Sequence, residues 1–266
     1  MNMYLTTTKH STSITILDRV PLPPNNPFGR RIKAPPISQE KNRKNIYNRE
    51  LKKVINTLEM NITEYSKYVT FTINKSEYPK ECFNPNYISD TFRRFIEKYK
   101  KNLKKYDICT PPKYVRFLDK SKEDNSWHLH AIFFSELHIS KFDLEKLWKL
   151  GSVKIESISE YMRRKKIDNY DYLARYNLKS KKALISLNLP SLHIYSPSRG
   201  LESPRVISYN DDPISFEAIY KKVCKKEILS RDQYKHSFLG NVKKIKYNTK
   251  EDSNELLNFI DNGECF

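Results

Sequence analysis

Apolar and polar positions alternate with a period of two in several short segments of the chain. KYVTFTIN (67–74) is rich in β-branched and aromatic residues and is typical of a strand. YVRFLDK (114–120) and SWHLHAIFF (126–134) share this pattern, and the polar turn SKEDN between them predicts a β-hairpin. Further extended segments are VKIESI (153–158), LHIYSPSRGL (192–201) and PRVISY (204–209).

Other segments repeat their apolar positions at the helical spacing. DTFRRFIEKYKKNLKKY (90–106) predicts a basic amphipathic helix that begins at an N-cap on Ser89. SKFDLEKLWKLG predicts a helix capped by Ser140 and stopped by Gly151. Helices are also expected at about 45–58 and at 169–182. A hairpin alternating with helices indicates an α+β fold, a central antiparallel sheet with helices packed against it.

Proline and charge divide the chain into three predicted parts. Residues 1–60 contain VPLPPNNPFG and KAPPIS followed by a polar run, which predicts an N-terminal extension that wraps or dangles. The folded domain is expected over 61–220, and a basic C-terminal extension over 221–266. The lysine-rich segments of that extension serve DNA recognition or only complete the fold.

Composition narrows the possible partners. Lys and Arg outnumber Asp and Glu by 49 to 31, which gives a formal net charge of +18 and favours a nucleic-acid partner. No apolar run is long enough for a transmembrane helix, and the N-terminus does not resemble a secretory signal, so we expect a cytoplasmic protein without a membrane partner. The four cysteines form no CxxC pair, and no phosphate-binding glycine loop occurs, which argues against a zinc ribbon and ATP-driven chemistry.

Two histidines stand out in the second strand of the predicted hairpin. His128 and His130 are two residues apart, so a strand projects both imidazoles from one face. Two imidazoles placed in this way can bind one divalent cation. The alternative is a pair of hydrogen-bonded core histidines, because the pattern His-x-His is common by chance.

A second group of residues lies in the helix predicted at 169–182. Tyr172 and Tyr176 are four residues apart and share a helical face, and Lys179 follows within one turn. A tyrosine can act as a nucleophile when a cation lowers the barrier, and Arg175 or Lys179 could hold a phosphate. The alternative is a tyrosine stripe packed on the sheet with the basic residues solvated.

Together the two groups resemble the HUH rolling-circle replication initiators of bacteriophages and small plasmids. Their motif His-hydrophobe-His is matched by His128-Leu129-His130, and their helical motif Tyr-x-x-Lys by Tyr176-Asn177-Leu178-Lys179. The family's first motif, a strand of alternating hydrophobes and threonines, is matched by Val69-Thr70-Phe71-Thr72. The resemblance covers about residues 65–207, including SPSRGLESP, and implies the HUH endonuclease fold with its RRM-like or ferredoxin-like topology.

The resemblance implies a role for each matched residue. His128 and His130 would bind Mn²⁺ or Mg²⁺ with an oxygen ligand, for which Asp119 is the first choice and Glu123 or Asp124 the second. Tyr176 would attack the scissile phosphate and form a 5′-phosphotyrosine, with Lys179 beside it. Tyr172 would be a second nucleophile or a neutral neighbour. Contacts to DNA are expected from the basic residues Arg175, Arg163, Arg164, Lys165, Lys166, Arg93 and Arg94.

The implied activity is a metal-dependent, site-specific nicking and joining of DNA that starts rolling-circle replication of a phage or plasmid. The implied partners are single-stranded and origin DNA, with the host helicase and polymerase, in the cytoplasm of a bacterial host. A relaxase or a single-strand transposase shares this chemistry, but relaxases usually carry the tyrosine before the histidines and such transposases are usually smaller. A non-catalytic basic protein that binds nucleic acid, with the histidines and tyrosines in its core, is the alternative from another class.

Overall fold

The protein groups into two compact units, described here from a computed structural model. One unit comprises Met1–Pro35 with Ser203–Phe266, and the other is Pro36–Glu202. The division at residues 60 and 220 that the sequence suggests stays a prediction. The structure describes residues 2–8, 11–17, 36–108, 110–121, 123–134, 140–179, 194–210, 228–236 and 240–248.

Strands and helices are numbered in chain order over the described residues. The strands are β1 (Asn2–Thr7), β2 (Ser11–Leu17), β3 (Lys67–Phe71), β4 (Tyr114–Lys120), β5 (Trp127–Phe133), β6 (Val153–Ser157), β7 (Tyr195–Pro197), β8 (Arg205–Asn210), β9 (Ile228–His236) and β10 (Gly240–Asn248). The helices are α1 (Pro36–Asn61), α2 (Pro85–Lys104), α3 (Lys141–Trp148), α4 (Ile158–Lys165) and α5 (Tyr170–Asn177). None of these helices is both long and apolar enough to cross a membrane.

The unit Pro36–Glu202 is built on an antiparallel sheet of five strands in the order β6-β3-β5-β4-β7. The predicted hairpin β4–β5 forms, and its second strand, β5, is the middle strand of the sheet. The predicted fold class is confirmed: α+β, with an antiparallel sheet flanked by helices.

Helices α2 and α3 cover one face of this sheet. Odd-numbered β5 residues such as Leu129 and Ala131 meet apolar side chains of both helices there. Aromatic rings form much of this core, and Phe71 lies within 5.0 Å of both Phe95 and Trp148 between ring centroids. These rings are fully or nearly fully buried, so this face provides much of the apolar burial that stabilises the unit.

Helices α1, α4 and α5 cover the opposite face. Leu58 of α1, Tyr161 of α4 and Leu173 of α5 pack with Ile132 of β5 in a second core. Even-numbered β5 residues point to this side because successive strand side chains alternate between faces. His128 and His130 therefore lie on the face that carries α5.

The second unit contains a sheet that the sequence pattern did not predict. Its strand order is β8-β1-β2-β10-β9, and neighbouring strands are antiparallel. β1 and β2 lie in the region that we expected to be irregular because of its prolines. α1, expected over about 45–58, extends over Pro36–Asn61.

Two helix ends differ from the sequence-based prediction. Asn84 is the N-cap of α2 and accepts hydrogen bonds from the backbone of Asn86 and Tyr87, so Ser89 lies inside the helix. The helix begins earlier than predicted because Pro85 fits its first position. Ser140 caps α3 as predicted, but the helix ends at Trp148 with Lys149 in a left-handed conformation (φ 65°), and Gly151 comes later.

Gly151 is required for a close approach between two strands. A Cβ atom there would lie 2.7 Å from the carbonyl oxygen of Thr72 and 2.8 Å from the amide nitrogen of Asn74. Trp148 donates its indole N–H to the same Thr72 oxygen at 2.7 Å, which holds that carbonyl in place. The neighbouring backbone therefore has little freedom to move away from a side chain.

We expect Gly151→Ala to lower the free energy of unfolding by about 3 kcal/mol, in the upper part of the range for overpacking. Gly200→Ala is the matched control, because Gly200 (φ 74°) has nothing within 4 Å of its added Cβ. It should cost only the left-handed backbone, about 1 kcal/mol. Urea unfolding of both variants measures the difference, and equal losses would contradict the role of close approach at Gly151.

Candidate functional site

Polar side chains collect at one end of the sheet face that carries α5. His128 and His130 of β5 share this face, with their ring centroids 6.0 Å apart. Asp119 of β4 lies directly opposite His128 in the strand register, and Thr70 of β3 lies opposite His130. The next position along the face is apolar, because Tyr68 is opposite Ile132. The polar group therefore borders the core instead of lying in open solvent.

Each histidine is held by its surroundings. The side chains of Thr70 and His130 are joined by a hydrogen bond of 3.1 Å between Oγ1 and Nδ1. The other ring nitrogen of His130, Nε2, faces an Asp119 carboxylate oxygen at 3.8 Å. Burial lowers the pKa of His128 and the neighbouring His130 lowers it further, which favours the neutral imidazole that a metal ion needs.

Asp119 carries the predicted oxygen ligand and is already engaged in an ion pair. Only 7% of the residue is exposed. Lys179 places its ammonium 2.8 Å from the same carboxylate oxygen that faces His130. A cation binding at this carboxylate would therefore share it with Lys179 or replace it.

The donor set fits a divalent metal by its chemistry, although no metal cluster is preformed among the residues that the structure describes. Two neutral imidazoles and one carboxylate are suitable ligands for Mn²⁺. Within the described ranges, however, no group of three or more His, Cys, Asp and Glu side chains is placed to hold a metal ion. Metal binding by His128, His130 and Asp119 stays a prediction.

The alternative acidic ligands lie in the turn of the β4–β5 hairpin. Asp124 accepts hydrogen bonds from the backbone and hydroxyl of Ser126 and forms an ion pair with Lys75. The backbone of Glu123 donates to Ser121 in the same turn. Asp124 thus has a structural role in shaping the turn.

The two tyrosines of α5 have different surroundings. Tyr176 is partly buried, and the Lys179 ammonium lies 4.5 Å from the centre of its ring. The Lys165 ammonium of α4 approaches the same ring at 5.7 Å. Tyr172 is 50% exposed, although it lies one turn before Tyr176 on the helix. Lys179 thus connects Tyr176 with Asp119 and, through it, with the histidines.

The structure separates the basic residues that we expected to contact DNA. Arg163, Arg164 and Lys165 form the last turn of α4 and Lys166 is its C-cap, on the same sheet face as α5. Arg164 is held by two hydrogen bonds of 2.8 Å to Glu156.

The other predicted DNA contacts lie apart from this group. Arg93 and Arg94 belong to α2 on the opposite face of the sheet, where they contact Asp90 and Thr91. Arg175 is bound by Asp171 one turn earlier, at 2.5 Å, near Tyr47 of α1. DNA contacts by all of these residues stay predictions.

Three residues that sequence reasoning missed connect the strands to the tyrosine helix. The Tyr68 hydroxyl donates a 2.7 Å hydrogen bond to Asn177 Oδ1, and the Asn177 amide donates to the carbonyl of Leu173. Tyr161 of α4 stacks on Tyr68 with ring centroids 3.6 Å apart. One signal was available, because Tyr68 stands two positions before Thr70 and must share its sheet face.

Comparison with known proteins adds one finding. The family model for replication-associated proteins of the ORF2 type matches residues 66–181, which is less than half of the chain. The matched segment contains His128, His130, Tyr176 and Lys179. No curated protein and no solved structure matches the chain. The match supports a role as a replication initiator.

Proposed function

We propose that the protein nicks and rejoins single-stranded DNA at a replication origin, with Tyr176 as the nucleophile, and thereby starts rolling-circle replication. The observation that carries this proposal is the position of Lys179, which bridges the Tyr176 ring and Asp119 beside the two histidines. A packed core stripe has no need for this sequence of tyrosine, ammonium, carboxylate and imidazole. The family match over residues 66–181 supports a replication role.

His128, His130 and Asp119 would hold Mn²⁺ or Mg²⁺, which supplies Lewis-acid polarisation of a phosphodiester. Thr70 orients the His130 ring through its hydrogen bond to Nδ1. Such partners of a ligand fix its ring orientation and its protonation. The carboxylate of Asp119, in turn, is oriented by Lys179.

In the proposed reaction the Tyr176 phenolic oxygen forms a bond to phosphorus as the bond to the 3′ oxygen breaks. The products are a 5′-phosphotyrosine and a 3′-OH; the tyrosine loses one proton and the leaving oxygen gains one. The Lys179 and Lys165 ammonium groups near the ring can stabilise negative charge on the phenolate and the phosphate. Because the phosphotyrosine bond conserves energy, a 3′-OH can later reverse the step without ATP.

Single-stranded DNA is proposed to reach the tyrosine along the end of α4. Lys165 and Lys166 lie there, and the chain as a whole carries a formal charge of +18. Each phosphate contact on a single strand contributes about −0.7 to the slope of log affinity against log salt. The half-exposed Tyr172 is accessible to a second strand, as a second nucleophile requires.

The test is formation of a covalent adduct by the full chain. The protein is incubated with Mn²⁺ and single-stranded oligonucleotides tiled across the DNA that encodes it, followed by denaturing electrophoresis and mass spectrometry. We expect an adduct on Tyr176 and a free 3′-OH on the released fragment. Absence of any adduct or nicking by the folded protein would favour the non-catalytic alternative, in which these side chains are structural.

A further inference from the structure

Tyr161 is a buried tyrosine that lies between two other tyrosines on the α5 side of the sheet. Its ring stacks on Tyr68 at 3.6 Å, with only 12° between the ring planes. On its other side, the ring of Tyr176 meets it edge-on at 6.4 Å and 73°. Tyr161 thus connects the strand that carries Tyr68 with the proposed nucleophile.

The position of Tyr161 is determined by strong local contacts of α4. Ser157 caps the helix, and its backbone and hydroxyl are in turn bound by the Glu160 side chain. One turn later Arg164 lies 5.4 Å from the Tyr161 ring and is bound at both nitrogens by Glu156 of β6. Tyr68 is fixed as well, because its hydroxyl is bound to Asn177 of α5.

The surroundings keep the Tyr161 hydroxyl protonated. The residue is 3% exposed. Burial raises the pKa of Tyr161 far above its usual value, and hydrogen bonding to Tyr176 also raises it, while hydrogen bonding from Tyr68 lowers it. A tyrosine in this state is a hydrogen-bond donor and a poor base.

We propose that Tyr161 is a positioning residue for Tyr176: it donates a hydrogen bond to the phenolic oxygen and stabilises the phenolate in both nicking and rejoining. This inference rests on the proposed function, because it assumes that Tyr176 is the nucleophile. A preorganised donor aimed at an oxygen where charge develops stabilises the transition state more than the ground state.

Other charged and titratable groups surround this pair of tyrosines. Lys179 and Lys165 approach the Tyr176 ring from α5 and α4, and Arg164 lies at the Tyr161 ring. Beyond Tyr68 lie His130, with ring centroids 5.5 Å apart, and Asp119, whose charge acts on Tyr68. Lys179 and Lys165 act by charge near the ring, whereas Tyr161 supplies a directed hydroxyl.

The test compares Tyr161→Phe with Tyr195→Phe in the full chain. Both changes remove one hydroxyl from a largely buried tyrosine on the same sheet face, but the Tyr195 hydroxyl contacts Thr57 of α1. Single-turnover rates of adduct formation and of rejoining are measured with saturating oligonucleotide, together with its dissociation constant. We expect Tyr161→Phe to slow both rates by the same factor, roughly 10- to 100-fold, the loss of one hydrogen bond to a charged oxygen. Its DNA affinity and reaction amplitude should be unchanged, and Tyr195→Phe should react like the wild type.

The possible results separate this inference from the proposed function. Unchanged rates in Tyr161→Phe, with an adduct still forming on Tyr176, would overturn the inference and leave the proposed function intact. A smaller amplitude with unchanged rate constants would indicate a misfolded fraction and a merely structural role, which also overturns it. If the wild-type protein forms no adduct on Tyr176, the proposed function fails and the inference with it.

Discussion

Tyr176→Phe is expected to abolish the covalent protein–DNA adduct and to reduce nicking by at least about 10⁴-fold, because phenylalanine has no oxygen to attack phosphorus. The substitution keeps the ring, its edge-on contact with Tyr161 and its position beneath the Lys179 ammonium. The free energy of unfolding should therefore change little. Adduct formation on a denaturing gel, with the melting temperature measured on the same preparation, separates lost chemistry from lost folding.

Tyr172→Phe is the matched control for this prediction. It removes the same hydroxyl from the same helix, one turn earlier, at a side chain that is 50% exposed. We expect the first nicking reaction to persist in this variant. If the adduct instead persists in Tyr176→Phe and disappears in Tyr172→Phe, the mechanism stands with the two roles exchanged. Persistence of adduct and nicking in the double variant would exclude both tyrosines as nucleophiles.

The second large effect is expected from the histidines. His128→Ala or His130→Ala should weaken Mn²⁺ binding by more than the roughly 10- to 100-fold that changes in the outer shell of a metal site produce. Adduct formation should fall with the metal occupancy. Electron paramagnetic resonance of free Mn²⁺ measures binding directly, so the result does not depend on activity.

Two controls define what the histidine result means. Thr70→Val removes only the hydrogen bond to His130 Nδ1 and should give the smaller, outer-shell effect. His236→Ala changes a histidine of β9, in the other unit, and should leave Mn²⁺ binding unchanged. Equal Mn²⁺ affinity in the wild type and in both site variants would contradict the predicted ligand set, and the pairing of Asp119 with Lys179 would then be structural.

The local features of the fold could be predicted with good accuracy because they depend on neighbouring residues. The alternation in YVRFLDK and SWHLHAIFF predicted the β4–β5 hairpin, and parity along β5 predicted that His128 and His130 share a face. Helix ends were less well predicted, since Asn84 and Ser89 are both acceptable caps and Pro85 favours the earlier start.

The sheet of the second unit shows why pairing between distant segments was not predictable. β1 and β2 come from the start of the chain, whereas β8, β9 and β10 follow residue 203. Alternation in a short segment indicates a strand but carries no information about its partner. The prolines after β2 also suggested an irregular N-terminus, although they follow the paired residues of the hairpin.

By itself the sequence determined the chemistry available to this protein: a His-x-His strand, a Tyr-x-x-Lys helix, and an excess of positive charge without a nucleotide-binding loop. Only the tertiary structure decided which groups meet. It paired Lys179 with Asp119, put the α4 basic turn beside Tyr176 and the α2 arginines on the other face, and stacked Tyr161 on Tyr68. The physical reason is range: residue type and spacing govern strand parity and helix faces, whereas contacts between distant elements depend on how complete sheets and helices pack.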